Sequence, residues 1–437
     1  MFSFAQNYLT RGFWGDEAWT SLISQLPYRQ MLKTTAADFH PPGYYTVIEL
    51  LYKFLPPGEI ATRFVSILFW CLTAFFVYLL ASKFKGKTFG LLSTLVVSFN
   101  PIFFRYSFEA RNYTMFAFTA TASVYFLLRL LEKFSIKNAA IFVIFTTLGI
   151  YTHYYMFFVL AAQGIYILIF ERRFVLKFVG VYFAIFLLYL PWMPFLFGQL
   201  TSVGQSYWIG VIDTRTHWEA LQRILSGEQE NVFRPFLILL SVSMLLVGLW
   251  HHLAKRRFEK PYILIWLWAI VPFVLATLPG LRVWEFKLPF RPIFFWRYLI
   301  GASVPLSMVI VHSAQRLPFR LYLPVVVAIV TLSLAIDFLT LGSYPPTFKQ
   351  TYQNEILGKI NSEDKIVTVL PSFAEVLYYR NYFGLKNDVI VLPEGLVQFS
   401  GKSLLDAYAA GGVVTIGQRP AGRYFELTPG PRLVIND

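Results

Sequence analysis

Long apolar runs separated by short polar loops fill the first three quarters of the chain. About ten runs approach the length of a membrane span, at about 60–82, 88–104, 113–131, 138–152, 154–170, 176–197, 234–254, 261–281, 292–313 and 319–341. A transmembrane helix needs roughly 20 residues, with ~17 as the lower limit, so the second, fourth and fifth runs are at or below that limit. The segment 43–55 is too short to cross and predicts an amphipathic helix at the interface.

The pattern changes after residue 341. Short apolar runs at 365–371, 388–393 and 412–417 are typical of buried strands, and helical patterns at 373–383 and 404–410 lie between them. Alternating strands and helices predict a small α/β domain. We therefore expect an all-α polytopic membrane protein with about ten transmembrane helices and a small C-terminal α/β domain. The membrane domain is 1–341, with 1–59 as its first outer loop, and the outer-face domain is 342–437.

The charge of the chain indicates which loops face the cytoplasm. Only 14% of the residues are charged, against about 25% in soluble proteins. Lys and Arg concentrate in loops at about 83–87, 129–137, 171–177, 255–260 and 316–320. The positive-inside rule places these loops in the cytoplasm, and it explains the net charge of +14 without any binding of nucleic acid.

The remaining loops and both termini then face outward. We expect a multi-pass protein of the inner or plasma membrane whose site lies on the extracytoplasmic side. Residues 1–20 contain Asp16 and Glu17 and lack the apolar core of a signal peptide. We therefore expect a first transmembrane helix upstream of Met1. The lone Cys71 excludes an intrachain disulfide.

An acidic pair, Asp16 and Glu17, lies between Trp14 and Trp19 in the first outer loop. Tryptophan favours the depth of the lipid headgroups. Burial beside apolar rings and the proximity of a second carboxylate both raise the pKa of a carboxyl group. The pair could supply a general base or a cation ligand. Alternatively, it occupies the first turn of a helix, where acidic side chains complement the helix dipole.

Two histidines lie in the outward-facing loops. His40 precedes Pro41 and Pro42, which fix the backbone ahead of the next helix and would aim the imidazole reproducibly. The alternative is an ordinary helix start with a surface histidine. His153 lies in a tight outer turn, where it could bind a metal ion or a phosphate, or simply cap a helix.

Charged side chains also mark the outer ends of three spans. Arg105 and Glu109, four residues apart at the third span, could form an ion pair on one helix face. In the functional interpretation Glu109 lies at the rim of an active site, and an arginine such as Arg111 holds a phosphate. Arg63 and Arg297 either meet a phosphate or anchor their helices at the interface.

Together these motifs resemble the GT-C superfamily of polytopic glycosyltransferases, in the branch related to protein O-mannosyltransferases and lipid A aminoarabinose transferases. The residues that match, in order, are Asp16-Glu17, His40-Pro41-Pro42-Gly43-Tyr44-Tyr45, Arg63-Phe64-Val65-Ser66, Tyr106-Ser107-Phe108-Glu109-Ala110-Arg111-Asn112-Tyr113 and Arg297-Tyr298. The agreement covers roughly residues 12–300. The usual span before the acidic pair is absent, and position 43 is Gly where such proteins commonly carry Leu, a departure that we expect to be harmless.

The resemblance implies a donor and a set of residue roles. Such enzymes take a sugar from a polyprenyl-phosphate carrier and pass it to an acceptor on the outer face, which could be a glycan, a lipid or a protein, with inversion in a single displacement. It implies Asp16 as the general base, Glu17 as a supporting carboxylate and Glu109 as a second acidic residue. The implied donor phosphate-binding residues are Arg63, Arg111, Arg297, His40, His153, Tyr45 and Tyr113.

Metal use and two other functional classes stay open. Asp16, Glu109 and His40 are candidate ligands of a divalent cation, although their spacing resembles no closed zinc site. An O-antigen ligase or polymerase would share the lipid-linked substrate but should lack the ordered motifs. A lipid or sugar transporter is disfavoured because the chain has no inverted repeat and few ionisable residues at span centres.

Overall fold

The computed structural model describes residues 8–205, 209, 212–255, 259–280, 282–283, 286–287, 292–342, 345–394 and 401–436. Helices dominate the described residues, as the apolar pattern predicts. The outer and membrane helices are α1 (Gly15–Ser24), α2 (Tyr28–Ala36), α3 (Gly43–Tyr52), α4 (Glu59–Ser98), α5 (Pro101–Ser107), α6 (Tyr113–Glu132), α7 (Ile136–Thr152), α8 (Met156–Phe170), α9 (Val175–Tyr189), α10 (Met193–Gln205), α11 (Thr214–Ser226), α12 (Arg234–Lys255), α13 (Lys260–Thr277), α14 (Ser303–Ala314) and α15 (Phe319–Gly342).

The predicted spans reappear, with differences at their ends. Among the described residues, six continuous helical stretches are long and apolar enough to cross a membrane. One of them, α4, is 40 residues long and covers the first two predicted spans, with a break at Lys85 and Gly86. Gly86 has φ +80°, a left-handed conformation that glycine adopts without steric cost. The break therefore lies in the predicted cytoplasmic loop 83–87.

Two of the predicted spans are not single α-helices. The run 176–197 forms α9, a short 3₁₀ turn at Leu190–Trp192, and the start of α10. The run 292–313 begins with a 3₁₀ helix, Trp296–Ala302, and only its second half forms α14. The helices α7 and α8 have 17 and 15 residues, so the fourth and fifth predicted spans are short, at or below the lower limit for crossing a membrane.

Local capping ends α4 and starts the short helix α5. The Asn100 side chain accepts a hydrogen bond from the backbone of Phe103, and Pro101 occupies the first turn of α5. Both features stop one helix and start the next. The loop that follows α5 is tied down when the Asn112 amide donates to the carbonyl oxygen of Thr152 at 2.9 Å. The loop 108–112 is thereby held against the end of α7.

The C-terminal residues form the small α/β domain that the sequence predicts. Its elements are α16 (Phe348–Thr351), β3 (Lys365–Val369), α17 (Leu370–Tyr382), β4 (Val389–Leu392), α18 (Lys402–Ala410), β5 (Val414–Ile416), β6 (Tyr424–Thr428) and β7 (Arg432–Asn436). The strand order is β5-β4-β3-β6-β7. Ile366 lies opposite both Val389 and Phe425 in parallel pairs, and β7 closes the sheet antiparallel to β6. A two-stranded ribbon, β1 (Arg282–Val283) with β2 (Phe286–Lys287), precedes α14.

A second hydrophobic core joins the first outer loop to the C-terminal domain. It contains Phe13, Leu22 and Ile48 from the start of the chain and Phe373 and Leu377 from α17. The helix α1 packs directly against α17 and α3. The helices of the first outer loop are therefore positioned from two sides, by the membrane helices and by the C-terminal domain. The division of the chain at residue 342 stays a prediction.

Candidate active site

The adjacent carboxylates of Asp16 and Glu17, in the first turn of α1, point in different directions. Successive residues of a helix are rotated by about 100°, so Asp16 and Glu17 cannot share one environment. Glu17 is fully buried, whereas the Asp16 side chain keeps 42% of its exposure. The acidic pair thus separates into one enclosed carboxylate and one that lines a cavity.

Glu17 forms a buried ion pair with Arg63 of α4. Arg63 Nε donates to Glu17 Oε1 at 2.8 Å and Arg63 Nη2 donates to Oε2 at 2.6 Å, a two-pronged geometry. The backbone amide of Ala110 donates to Oε1 at 2.8 Å. Burial raises the pKa of Glu17, but the Arg63 guanidinium more than offsets this, and the pKa lies below its ordinary value. The pair ties α1, α4 and the loop 108–112 together.

The remaining guanidinium nitrogen of Arg63 is also engaged. Its Nη1 donates to the carbonyl oxygens of Leu9 and Arg11, both at 2.8 Å. The side chain is fully buried, and every guanidinium nitrogen donates to a protein oxygen. This geometry does not support the predicted contact between Arg63 and a donor phosphate.

Asp16 lines a cavity of about 310 Å³, here called the base cavity, between two arginines. Arg111 Nε lies 3.7 Å and Arg297 Nη1 lies 4.0 Å from Asp16 Oδ2. His40 and Tyr113 line the same cavity. Five of the predicted site residues are therefore brought together from α1, the turn before α3, the start of α6 and the 3₁₀ helix at Trp296–Ala302.

His40 is oriented by a carboxylate that sequence reasoning missed. Its Nδ1 lies 3.1 Å from Asp38 Oδ2, and its Nε2 lies 3.3 Å from Arg111 Nη2. Because a guanidinium can only donate, Nε2 accepts, and the ring proton on Nδ1 is donated to Asp38. His40 thus orients Arg111. The spacing of the carboxylate two residues before the imidazole was a signal available in the sequence.

A second cavity of about 310 Å³ adjoins the base cavity and shares Trp14, Arg297 and Pro371 with it. We call it the proline cavity, since Pro345, Pro346, Pro371, Pro429 and Pro431 lie along it; its other lining residues are Arg11, Gly12, Phe13, Trp14, Arg105, Glu109, Arg297, Thr347, Phe348, Ser372, Glu375 and Gly430. Asp16 and Glu109 therefore lie in neighbouring cavities and not side by side.

Glu109 is held by arginines at the proline cavity. Arg105 Nε lies 3.3 Å and Arg11 Nη2 lies 3.7 Å from Glu109 Oε1. The ion pair between Arg105 and Glu109 predicted as the structural alternative is present, and Arg105 also reaches Glu228 at 2.9 Å. Burial raises the pKa of Glu109 above its ordinary value.

Glu375 of α17 is the second site residue that sequence reasoning missed. It lines the proline cavity, and its carboxylate oxygens lie 3.6 Å from the point where a Cβ on Gly15 would stand. Burial raises the pKa of Glu375 to about 8, and the nearby Asp16 carboxylate adds to the shift. The available signal was a glutamate inside an otherwise apolar stretch of the predicted helix 373–383.

A third, apolar cavity of about 260 Å³ borders the base cavity, with which it shares Phe39, His40 and Tyr298. Phe157, Phe158, Leu196 and Leu200 form its walls. His153 lies here and not among the arginines; it stacks on Phe116 with ring centroids 4.9 Å apart. Burial lowers the pKa of His153 to about 3, so its ring is neutral. Tyr45 is buried against Trp19, with ring centroids 5.2 Å apart.

The three candidate metal ligands do not form a cation site. Asp16 lies between two guanidinium groups, Glu109 pairs with two more in the next cavity, and His40 contacts Asp38 and Arg111. In the parts of the chain that the structure describes, no group of three or more His, Cys, Asp and Glu side chains could hold a metal ion. The residues at these positions do not fit a divalent cation, because the surrounding charge is positive.

Comparisons with known proteins agree with this architecture. A family model described as dolichyl-phosphate-mannose-protein mannosyltransferase matches residues 39–197. ArnT from Cupriavidus metallidurans in the apo state superimposes with a TM-score of 0.66 at 12% identity, covering 98% of this chain and 91% of that chain. The chain has the GT-C fold of membrane glycosyltransferases. The fold that the resemblance implied from the sequence motifs is thereby confirmed.

Two further solved GT-C structures superimpose on the chain. ArnT from Cupriavidus metallidurans bound to undecaprenyl phosphate gives a TM-score of 0.64 at 13% identity, over 97% of this chain and 90% of that one. The oligosaccharyltransferase of Archaeoglobus fulgidus in the apo form gives 0.54 at 12% identity, over 87% of this chain and 62% of that one. No curated protein sequence matches the chain.

Proposed function

We propose that this GT-C chain transfers a sugar from a polyprenyl-phosphate donor to an acceptor hydroxyl at the outer face of the cell membrane. The single observation that carries the proposal is the placement of Asp16. Its carboxylate lies between Arg111 and Arg297 in a cavity that shares three lining residues with an apolar cavity. A carboxylate, two phosphate-binding cations and an apolar channel are what a lipid-phosphate sugar requires.

The charges and the apolar surface suit the two ends of the donor. A polyprenyl tail partitions into apolar surroundings, and the cavity walled by Phe157, Phe158 and Leu196 offers them. The donor phosphate would lie where the two cavities meet, within reach of Arg111 and Arg297. Undecaprenyl phosphate occupies the solved structure of ArnT, which shares the fold.

The transfer is a single displacement at the anomeric carbon. Asp16 accepts the proton of the acceptor hydroxyl as the new bond between that oxygen and the anomeric carbon forms. The bond from the anomeric carbon to the phosphate oxygen breaks, and the phosphate leaves with the electron pair. Arg111 and Arg297 stabilise the charge that develops on the leaving phosphate, an interaction that strengthens in the transition state. Displacement from one face inverts the anomeric centre.

The other predicted residues receive supporting roles. His40, held by Asp38, orients Arg111, and Tyr113 completes the wall beside the phosphate. The buried pair of Glu17 and Arg63 fixes the position of α1 and thereby of Asp16. His153 is neutral and borders the apolar cavity, where it would contact the carrier lipid close to its phosphate.

The donor class is tested with purified protein in liposomes. Radiolabelled polyprenyl-phosphate sugars are supplied singly, with outer-membrane and cell-wall extracts as acceptors and with no nucleotide sugar. We expect one of these donors to release its label to an acceptor. A strict requirement for a nucleotide sugar would contradict the proposal.

A further inference from the structure

The proline cavity contains an unusual number of polar atoms without partners. Six polar side-chain atoms of its lining residues are shielded from solvent and have no hydrogen-bond partner among the described residues: Arg11 Nε, Trp14 Nε1, Glu109 Oε2, Arg297 Nε, Ser372 Oγ and Glu375 Oε2. Leaving a buried polar group unsatisfied costs about 1–3 kcal/mol. Such groups gathered at one cavity indicate a surface built for a polar ligand.

The chemical types of these atoms restrict the ligand. The arginines and Trp14 only donate hydrogen bonds, and the carboxylate of Glu109, paired with arginines, only accepts them. The Ser372 hydroxyl and the carboxyl group of Glu375, which is mostly protonated near neutral pH, do both. A ligand hydroxyl group can form hydrogen bonds with donors, with acceptors and with groups that do both. Because the cavity residues supply both donors and acceptors, the best match is a molecule with several hydroxyls.

Ionic ligands fit this cavity less well. Arg11, Arg105 and Arg297 would repel a cation, and the Glu109 carboxylate would repel the oxygens of a phosphate or carboxylate. The arginines already neutralise Glu109 through the contacts at 3.3 and 3.7 Å. A neutral polar ligand leaves these pairs intact.

The remaining walls are flat and apolar. Phe13, Trp14 and Phe348 present rings to the cavity, and five prolines surround them. The rigid pyrrolidine rings keep these faces in place without any entropic cost on binding. Flat apolar faces combined with hydroxyl-binding polar groups match a sugar ring, which has apolar C–H faces and a rim of hydroxyls.

We propose that the proline cavity is the binding site of a saccharide acceptor and that Glu375 and Ser372 of the C-terminal domain hold its hydroxyls. The inference rests on the proposed transfer function, for which it names the acceptor class. The shared wall of Trp14 and Arg297 connects the bound saccharide to Asp16 in the base cavity. One acceptor hydroxyl would pass this wall to reach Asp16, while the others remain in the proline cavity.

The experiment measures saccharide and donor-lipid binding separately. The full chain in lipid nanodiscs is applied to an array of defined oligosaccharides that also carries phosphorylated sugars and peptides. The affinity for the bound saccharide, and separately for undecaprenyl phosphate, is then measured for the unmodified protein and for Glu375→Leu, Glu375→Gln and Ser372→Ala. Glu363→Leu is the matched control, since Glu363 is an exposed glutamate of the same domain.

We expect Glu375→Leu to weaken saccharide binding up to about tenfold, since a hydrogen bond between the saccharide and a buried carboxyl group is lost. Glu375→Gln, which retains hydrogen-bonding atoms, should restore much of the affinity. Ser372→Ala removes one oxygen from a nearly unchanged shape, so it remains informative if the leucine variant does not fold. All variants should bind undecaprenyl phosphate as the unmodified protein does.

Two results would overturn the acceptor proposal. The first is that the unmodified protein binds no saccharide on the array, or binds phosphorylated or peptidic probes more tightly. The second is that the cavity variants bind saccharide as tightly as Glu363→Leu does. Failure of the donor proposal has a different signature, because the unmodified protein would then bind saccharide but not undecaprenyl phosphate.

Discussion

At the scale of single residues, Asp16 and Glu17 are adjacent in one acidic motif but have different environments and different proposed roles. Asp16 keeps solvent access beside Arg111 and Arg297, whereas Glu17 is enclosed with Arg63. A half-exposed carboxylate can exchange a proton with a substrate. A fully buried carboxylate bound by a two-pronged arginine is held in one state and in one place. The helical rotation between positions 16 and 17 produces this difference.

The buried pair should contribute to stability and not to donor binding. We expect Arg63→Met to lower the free energy of unfolding by about 3–5 kcal/mol, because Glu17 would be left buried without its counter-charge. Thermal unfolding in detergent measures the effect, and Arg29→Met, at an exposed arginine of α2, serves as the control. If Arg63→Met kept its stability but lost its affinity for undecaprenyl phosphate, Arg63 would be a donor-binding residue, as the sequence resemblance implied.

Glu375 should give stability a pH dependence of definite sign. Burial raises its pKa to about 8, from 4.5 in an exposed glutamate. The folded state binds the Glu375 proton more tightly than the unfolded state does. The resulting contribution to the free energy of unfolding is complete below pH 4.5 and is lost as the pH rises toward about 8. Between about pH 5 and about pH 8, the melting temperature of Glu375→Gln should therefore fall less than that of the unmodified protein. The control Glu363→Gln should behave as the unmodified protein does. If the melting temperature fell equally with pH in the unmodified protein and in both variants, Glu375 would not be the group responsible for the pH dependence.

At the scale of helices, the site depends on how closely α3 approaches α7. A Cβ added at Gly43 would lie 2.5 Å from the carbonyl oxygen and 2.9 Å from the carbonyl carbon of Tyr151. Backbone atoms cannot move aside as a flexible side chain can. The glycine where related proteins commonly carry leucine thus allows the first turn of α3, three residues after His40, to contact the end of α7.

Substituting this glycine should disturb the junction of α3 and α7. We expect Gly43→Ala to lower the free energy of unfolding by about 1–3 kcal/mol, as overpacking does, and to reduce transfer activity because His40 shifts with α3. Gly180→Ala is the control, since nothing lies within 4 Å of a Cβ at that helical glycine. Thermal unfolding and transfer assays on both variants test this, and equal behaviour of the two would argue against a tight junction.

The sequence predicted the helices better than it predicted the cavities. Apolar runs report burial in lipid directly, so the spans, the break near Gly86 and the α/β pattern after residue 341 were within reach. Asp38 was missed although its spacing to His40 was visible in the sequence, whereas the role of Glu375 arises from contacts between elements. The proximity of Glu375 to Gly15 joins residues far apart in the chain, and no periodicity encodes it. The 3₁₀ helix at Trp296–Ala302 was not predicted either, because its apolar composition is the same as that of an α-helix.

At the scale of the whole molecule, the account requires the site and the C-terminal domain to lie on the outer side of the membrane. A variant with Cys71→Ser provides a background without cysteine. In intact cells or spheroplasts, a membrane-impermeant maleimide should label Glu363→Cys but not Lys133→Cys, both at exposed positions. Both should react once the membrane is permeabilised. The reverse labelling pattern would place the site in the cytoplasm and contradict the topology.

The most direct measurement of the central claim compares the unmodified protein with Asp16→Asn in the liposome assay with the active polyprenyl-phosphate sugar. Asparagine preserves the size of the side chain but cannot accept the acceptor proton. We expect transfer to fall at least about 10²-fold, the scale of general-base catalysis, while undecaprenyl phosphate still binds and the melting temperature is unchanged. Sugar transfer by Asp16→Asn at the unmodified rate would contradict the assignment of Asp16 as the base.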